Sequence, residues 1–121
     1  MAHVNAKGAQ FERMAQEHLE GEGLEFVERN YRCKRGELDL VMRDEDDVVF
    51  VEVRYRRSTD YGSGAESVDA RKRAKLIAAA SHWLLAHPAM ANAPCRFDVV
   101  SMSGAPANPQ VDWIRDAFSV A

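Results

Sequence analysis

Two carboxylates sit where carboxylates are costly. Asp39 interrupts the apolar run LDLVM, and Glu52 interrupts VVFVEV. Acids inside half-buried apolar strands are uncommon unless something compensates their charge. The two runs are joined by the acidic segment Asp44–Asp47 and followed by a basic exit, Arg54, Arg56 and Arg57. If Asp44–Asp47 is a hairpin turn, Arg43 faces Val48, Val41 faces Phe50, Asp39 faces Glu52 and Glu37 faces Arg54. Directly opposed residues have Cβ atoms roughly 4.5–5.5 Å apart on one face. Two carboxylates that close repel unless one holds a proton or a cation sits between them. A hard divalent cation with oxygen ligands, Mg²⁺ or Mn²⁺, answers that need. A one-residue slip would place the two acids on opposite faces. Without a cation, the same residues make a salt-bridged ladder in which Arg54 satisfies Glu37 or Glu52.

The elements that must position this pair are legible around it. Phe11, Met14, Ala15 and Leu19 recur at helical spacing and predict a helix over Ala6–Gly21, stopped by Gly21 and Gly23. Glu12 lies at the edge of that stripe, a place where a carboxylate is ordinarily solvated. Leu24–Arg32 reads as a strand and Cys33–Gly36 as a short basic turn. Glu37–Met42 reads as a second strand, with Leu38, Leu40 and Met42 on one face and Glu37, Asp39 and Val41 on the other. Val48–Tyr55 is apolar on both faces in its first half and predicts a central, buried strand.

Ser58–Glu66 is polar and glycine-containing, either a substrate-facing flap or a linker. Asp69–Ala86 predicts the second helix, capped by Ser67 or Asp69, with Leu76, Ile77, Ala80, Trp83 and Leu84 inward. Its first turns carry Arg71, Lys72, Arg73 and Lys75. They form a candidate phosphate-binding surface or a solvated basic face. His82 and His87 are expected to pack or face solvent. Arg96–Met102 predicts a fourth strand, parallel to the third because a helix connects them. Val111–Phe118 reads as either a short helix or a strand with a turn.

Length and composition bound the class. With 121 residues, 46% hydrophobic and 29% charged, the chain is expected to form one domain, residues 1–5 and 103–121 being peripheral. No apolar run approaches the roughly 20 residues of a membrane span, and no secretory h-region is present, so no membrane partner and a cytoplasmic location are expected. Cys33 and Cys95 fit no metal-ligand spacing and are expected to be free thiols. Net charge is −3, but residues 29–75 hold twelve of the sixteen Lys and Arg. A locally basic surface on an acidic protein follows.

Taken together, Glu12 in a helix, GELDL, FVEVRYR, VDARKRAKL and RFDVV resemble the bacterial YraN family, in the restriction-endonuclease-like superfamily. The resemblance runs from about Gly8 to Val100. It implies an α/β (α+β) core in the order α-β-β-β-α-β, with a mixed central sheet flanked by helices as in archaeal Holliday-junction resolvases. It implies that Asp39 and Glu52 ligate Mg²⁺ or Mn²⁺, that the carbonyl of Val53 completes the protein ligands, and that Glu12 adds a carboxylate or holds a metal-bound water. Arg56, Arg57, Arg71, Lys72 and Lys75 would meet nucleic acid, DNA rather than RNA; resolvases of this fold make their paired cuts as dimers, and whether this chain forms a homodimer is left open by its sequence. One residue departs from the pattern. The superfamily's motif, and this family's, ends in lysine, and this chain has Arg54. Arginine clamps phosphate but is a poor proton acceptor. Two readings stand: a metal-dependent endonuclease acting on branched or damaged DNA, and a weak or inactive nucleic-acid-binding adaptor on a nuclease scaffold. Lys72 is a candidate to replace the missing lysine.

Overall fold

A computed structural model describes residues 6–57 and 68–119. The elements run α1 (Ala6–Gly21), β1 (Glu25–Cys33), β2 (Gly36–Asp44), β3 (Asp47–Arg56), α2 (Ala70–Ala86), a 3₁₀ turn (Pro88–Met90), β4 (Cys95–Ser103) and β5 (Gln110–Phe118). The five strands form one sheet in the order β1-β2-β3-β4-β5. β1, β2 and β3 make an antiparallel meander, β3 and β4 run parallel, and β4 and β5 run antiparallel. The parallel β3–β4 pair is the consequence of the helical connection between them.

Each helix covers one face of the sheet. On the α1 side, Phe11, Ala15 and Leu19 pack with Leu40, Met42, Val49, Val51, Val100 and Met102. On the α2 side, Leu76, Ala79, Ala80 and Trp83 pack with Val48, Phe50, Phe97 and Val99. β3 is therefore buried on both faces, which is why it is apolar at consecutive positions. Phe11 stacks on Tyr55, centroids 4.1 Å apart, and fixes α1 over the end of β3. Asp69 caps α2, its Oδ1 accepting the Lys72 amide at 2.9 Å. The alternative cap, Ser67, and the candidate flap at 58–66 lie outside the described residues. No helix among the described residues is long and apolar enough to cross a membrane. Both cysteines are free.

Three expectations need correction. First, residues 110–118, left open between helix and strand and set apart as peripheral, are a fifth strand paired along β4. The pairing is irregular between Phe97 and Val99 and Asp116 has φ +50°, so the strand kinks and its polar-apolar alternation is blurred in sequence. Second, the β2–β3 turn is two residues, Glu45–Asp46, not four, with Asp44 paired to Asp47. Glu45 takes a left-handed conformation, φ +56°, as tight hairpins require. The expected register survives, with Val41 opposite Phe50 and Arg43 opposite Val48. Third, Leu38 does not share a face with Leu40 and Met42. It packs with the α2-side cluster, whereas they pack with the α1-side cluster. β2 thus changes faces at Asp39.

Candidate functional site

That change of face positions the site. The β2–β3 ladder ends at Leu40 opposite Val51, one pair short of Asp39 and Glu52. Beyond it the carboxylate of Asp39 takes over, with Oδ2 accepting the amide of Val53 at 2.9 Å. A buried amide left without an acceptor would cost about 1–3 kcal/mol, so this bond holds the strand ends where the ladder stops. Asp39 sits at the opening, within electrostatic reach of Glu12 from the α1 side and Glu52 from the α2 side.

Glu52 is buried, 5% exposed. Its carboxyl is held well above the ordinary carboxylate range, first by burial, then by the Asp39 charge and a hydrogen bond to Asp39. Lys72 and Arg54 pull the other way. Lys72 Nζ lies 3.5 Å and Arg54 Nε 3.1 Å from the same oxygen, Oε2. Arg54 Nε makes no aligned hydrogen bond there, so its contact is an ion pair without a directed N–H. Glu12, expected at a solvated edge, is 8% exposed. Burial and the Asp39 charge raise its pKa to about 7, against a smaller opposing effect from an Asn30 hydrogen bond. Its Oε1 is buried with no hydrogen-bond partner among the described residues.

The pair therefore has the electrostatics of two acids placed too close to ionise together unless a cation joins them. Among the described residues no group of three or more His, Cys, Asp or Glu is arranged to hold a metal ion. The donor set is two carboxylates. That set fits Mg²⁺, which keeps several waters and takes one or two protein carboxylates. The main chain of Val53 is at the site, but through its amide on Asp39. Glu37 does not meet Arg54. The ladder stops short of that pair, and Glu37 stays with its β1 partner Arg32, Nε to Oε2 3.2 Å.

An open groove of about 380 Å³ runs beside the pair, lined by Arg32, Cys33, Lys34, Arg35, Gly36, Glu37, Lys72 and Lys75. Five of these are cations and one is an acid. The groove exists because the β1–β2 turn lies hard against α2. A Cβ on Gly36 would sit 2.8 Å from the Lys75 carbonyl oxygen, so only glycine permits that approach. Lys72 and Lys75 line it as expected. Arg71 is exposed on the first turn of α2 and does not line it, nor do Arg56 and Arg57 at the end of β3. Arg32, Lys34 and Arg35 escaped the sequence reading as site residues. The signal was the run RCKR, visible only as a basic turn until α2 is placed opposite it.

His87 stacks on Trp83, its Nδ1 2.7 Å from the Trp83 carbonyl, and His82 contacts the Tyr31 hydroxyl. Both are packing roles, as expected.

The sequence model of the family described as Uncharacterised protein family UPF0102 matches residues 11–102. A UPF0102 protein of Stutzerimonas stutzeri (strain A1501) is 51% identical over 118 residues, 98% of each chain. One of Xanthomonas campestris pv. campestris (strain B100) is 57% identical over 112 residues, 93% of this chain and 90% of that protein. One of Saccharophagus degradans is 45% identical over 120 residues, 99% of this chain and 98% of that protein.

Proposed function

The chain belongs to the UPF0102 (YraN) family, and from that premise and the site's geometry we propose that it is a metal-dependent endonuclease-type phosphodiesterase acting on DNA. The observation that carries this reading is the buried Glu52, with Asp39 at the adjoining end of β2, next to a groove lined by five cations. Acids supply ligands and a proton acceptor, and the groove supplies the counter-charge for a phosphate backbone.

Asp39 and Glu52 would hold Mg²⁺ or Mn²⁺, with the Val53 carbonyl as the further donor the resemblance implies and Glu12 behind them. Such an ion stabilises charge on a phosphate and acidifies water. The chain's own residues do the rest. Arg54 and Lys72 offset the charge of the pair and of the phosphate around a Glu52 that is itself shielded from bulk water. Lys75, Lys34, Arg35 and Arg32 hold the strand on either side. In the hydrolysis, water oxygen forms the new bond to phosphorus and the bond to the leaving sugar oxygen breaks. The water proton passes to a carboxylate oxygen, and the leaving oxygen takes a proton from solvent. Branched or damaged DNA is the substrate class the resolvase likeness favours.

One observation favours a second reading, the adaptor. Glu52 is already engaged by two cations, and Arg54 stands where the superfamily's lysine is expected. Linear, nicked, flap and four-way-junction DNAs incubated with Mn²⁺ or EDTA separate the two. Metal-dependent cuts, lost in Glu52→Gln, support the enzyme. Salt-sensitive binding with no cut in any substrate supports the adaptor and overturns the enzyme.

A further inference from the structure

Two cations converge on one oxygen of Glu52, and they are held in different ways. Arg54 is on the same strand two residues on, so it stays on Glu52's face whatever else moves. Lys72 comes from α2, a different element, and reaches Glu52 directly at 3.5 Å. Its backbone is fixed: the amide is bound by Asp69, the next residue's guanidinium Nε donates to the Val68 carbonyl at 2.9 Å, and Leu76 one turn on is buried. Its side chain is a third exposed and lines the groove as well as touching Glu52. A lysine ammonium is a compact point charge on a flexible stem, able to change partners, whereas a guanidinium is a rigid fork.

We propose that Lys72, not Arg54, is the site's exchangeable cation. It holds Glu52 when no divalent ion is bound, yields Glu52 to the ion, and turns to a non-bridging oxygen of the phosphate lying at the mouth of the groove. Arg54 is the resident counter-charge. The ammonium missing from position 54 of β3 is thus provided by α2. This rests on reading the site as phosphodiester-cleaving, and it specifies how the site accommodates arginine at position 54.

The test uses the full chain and the variants Lys72→Met, Lys72→Gln and Arg54→Lys, with melting curves to confirm folding. Mn²⁺ alone is titrated calorimetrically, without DNA. Removing the competitor for Glu52 should tighten Mn²⁺ binding about 5- to 10-fold in Lys72→Met and Lys72→Gln. Single-turnover cleavage at saturating DNA, of whichever DNA the wild type cuts, should fall at least 100-fold in both, well beyond the loss of DNA affinity that one phosphate contact accounts for. Arg54→Lys should not gain cleavage as much as tenfold, because the exchangeable ammonium is already supplied by Lys72. A structural role would lower metal affinity and cleavage together. Mn²⁺ affinity unchanged or weakened in both Lys72 variants overturns the proposal. So does a tenfold or greater gain in Arg54→Lys with no loss in Lys72→Met. Should the wild type cut nothing, the functional reading fails, while the Mn²⁺ titration alone still decides whether Lys72 and the ion exchange on Glu52.

Discussion

The amide of Val53 donates to Asp39 Oδ2 at 2.9 Å, just past the last β2–β3 ladder pair. Asp39 is thus both a hydrogen-bond acceptor for the backbone and half of the acid pair, and substitutions separate these roles. Asp39→Asn keeps an acceptor oxygen and is expected to melt near wild type while losing cleavage by at least about 100-fold. Asp39→Ala strands the amide and is expected to cost about 1–3 kcal/mol as well, read by urea denaturation.

The groove prediction concerns salt. Lys34→Glu with Arg35→Glu removes two cations from the β1–β2 turn without touching the acid pair. DNA affinity is expected to fall at least tenfold at 100 mM salt. The slope of log K against log salt should shrink by about one to two, since each phosphate contact contributes roughly 0.7–0.9. An unchanged slope in fluorescence anisotropy would remove the turn from the binding surface.

The buried carboxyl of Glu12 gives stability a pH dependence of known sign. Its pKa is raised from 4.5 to about 7 in the folded protein. Between those values the folded chain retains a proton the unfolded chain has lost, so stability is full below about pH 4.5 and falls as pH rises toward 7. In EDTA, wild type is expected to lose about 1–3 kcal/mol more than Glu12→Gln between pH 5 and pH 8, at about 1.4 kcal/mol per pH unit at most. Equal losses in the two proteins would mean that Glu12 is ionised throughout.

Asp98 anchors the edge strand. Fully buried, it accepts from Arg96 Nε at 3.0 Å, Trp113 Nε1 at 2.9 Å and the Asp116 amide at 2.9 Å. Arg96 also pairs with Asp44 at 3.0 Å. Asp98→Ala leaves the part-buried Trp113 Nε1 and Asp116 amide on β5 without this acceptor and is expected to destabilise by about 2–4 kcal/mol. Hydrogen exchange should show β5 opening first.

Much of this was legible in sequence, and what was not has physical causes. The hairpin register could be read from two apolar runs and an acidic turn, because strand alternation constrains it strongly. The buried stripe of α2 was readable too, though Ala79 is fully buried while Ile77 and Leu84 are only partly so. The burial of Glu12 was not, since it depends on Asn30 (φ +58° in β1) and Asp39 closing over one side of α1. The groove was not, because its two walls are about 40 residues apart and meet only where Gly36 lets backbone touch backbone. β5 was not, because its alternation breaks at the Asp116 kink and part of its anchorage, Asp98, lies in another strand.

The two-residue turn at Glu45–Asp46 also sets an order of assembly. Closing it brings Asp39 toward Glu52 at little entropic cost, whereas Lys72, farther along the chain, arrives only once α2 docks on the sheet. During folding the acids therefore meet before one of their cations does. Early hairpin formation is opposed by like-charge repulsion, which salt screens, so the refolding rate should rise with ionic strength. The chain builds its most charged junction first and balances it last.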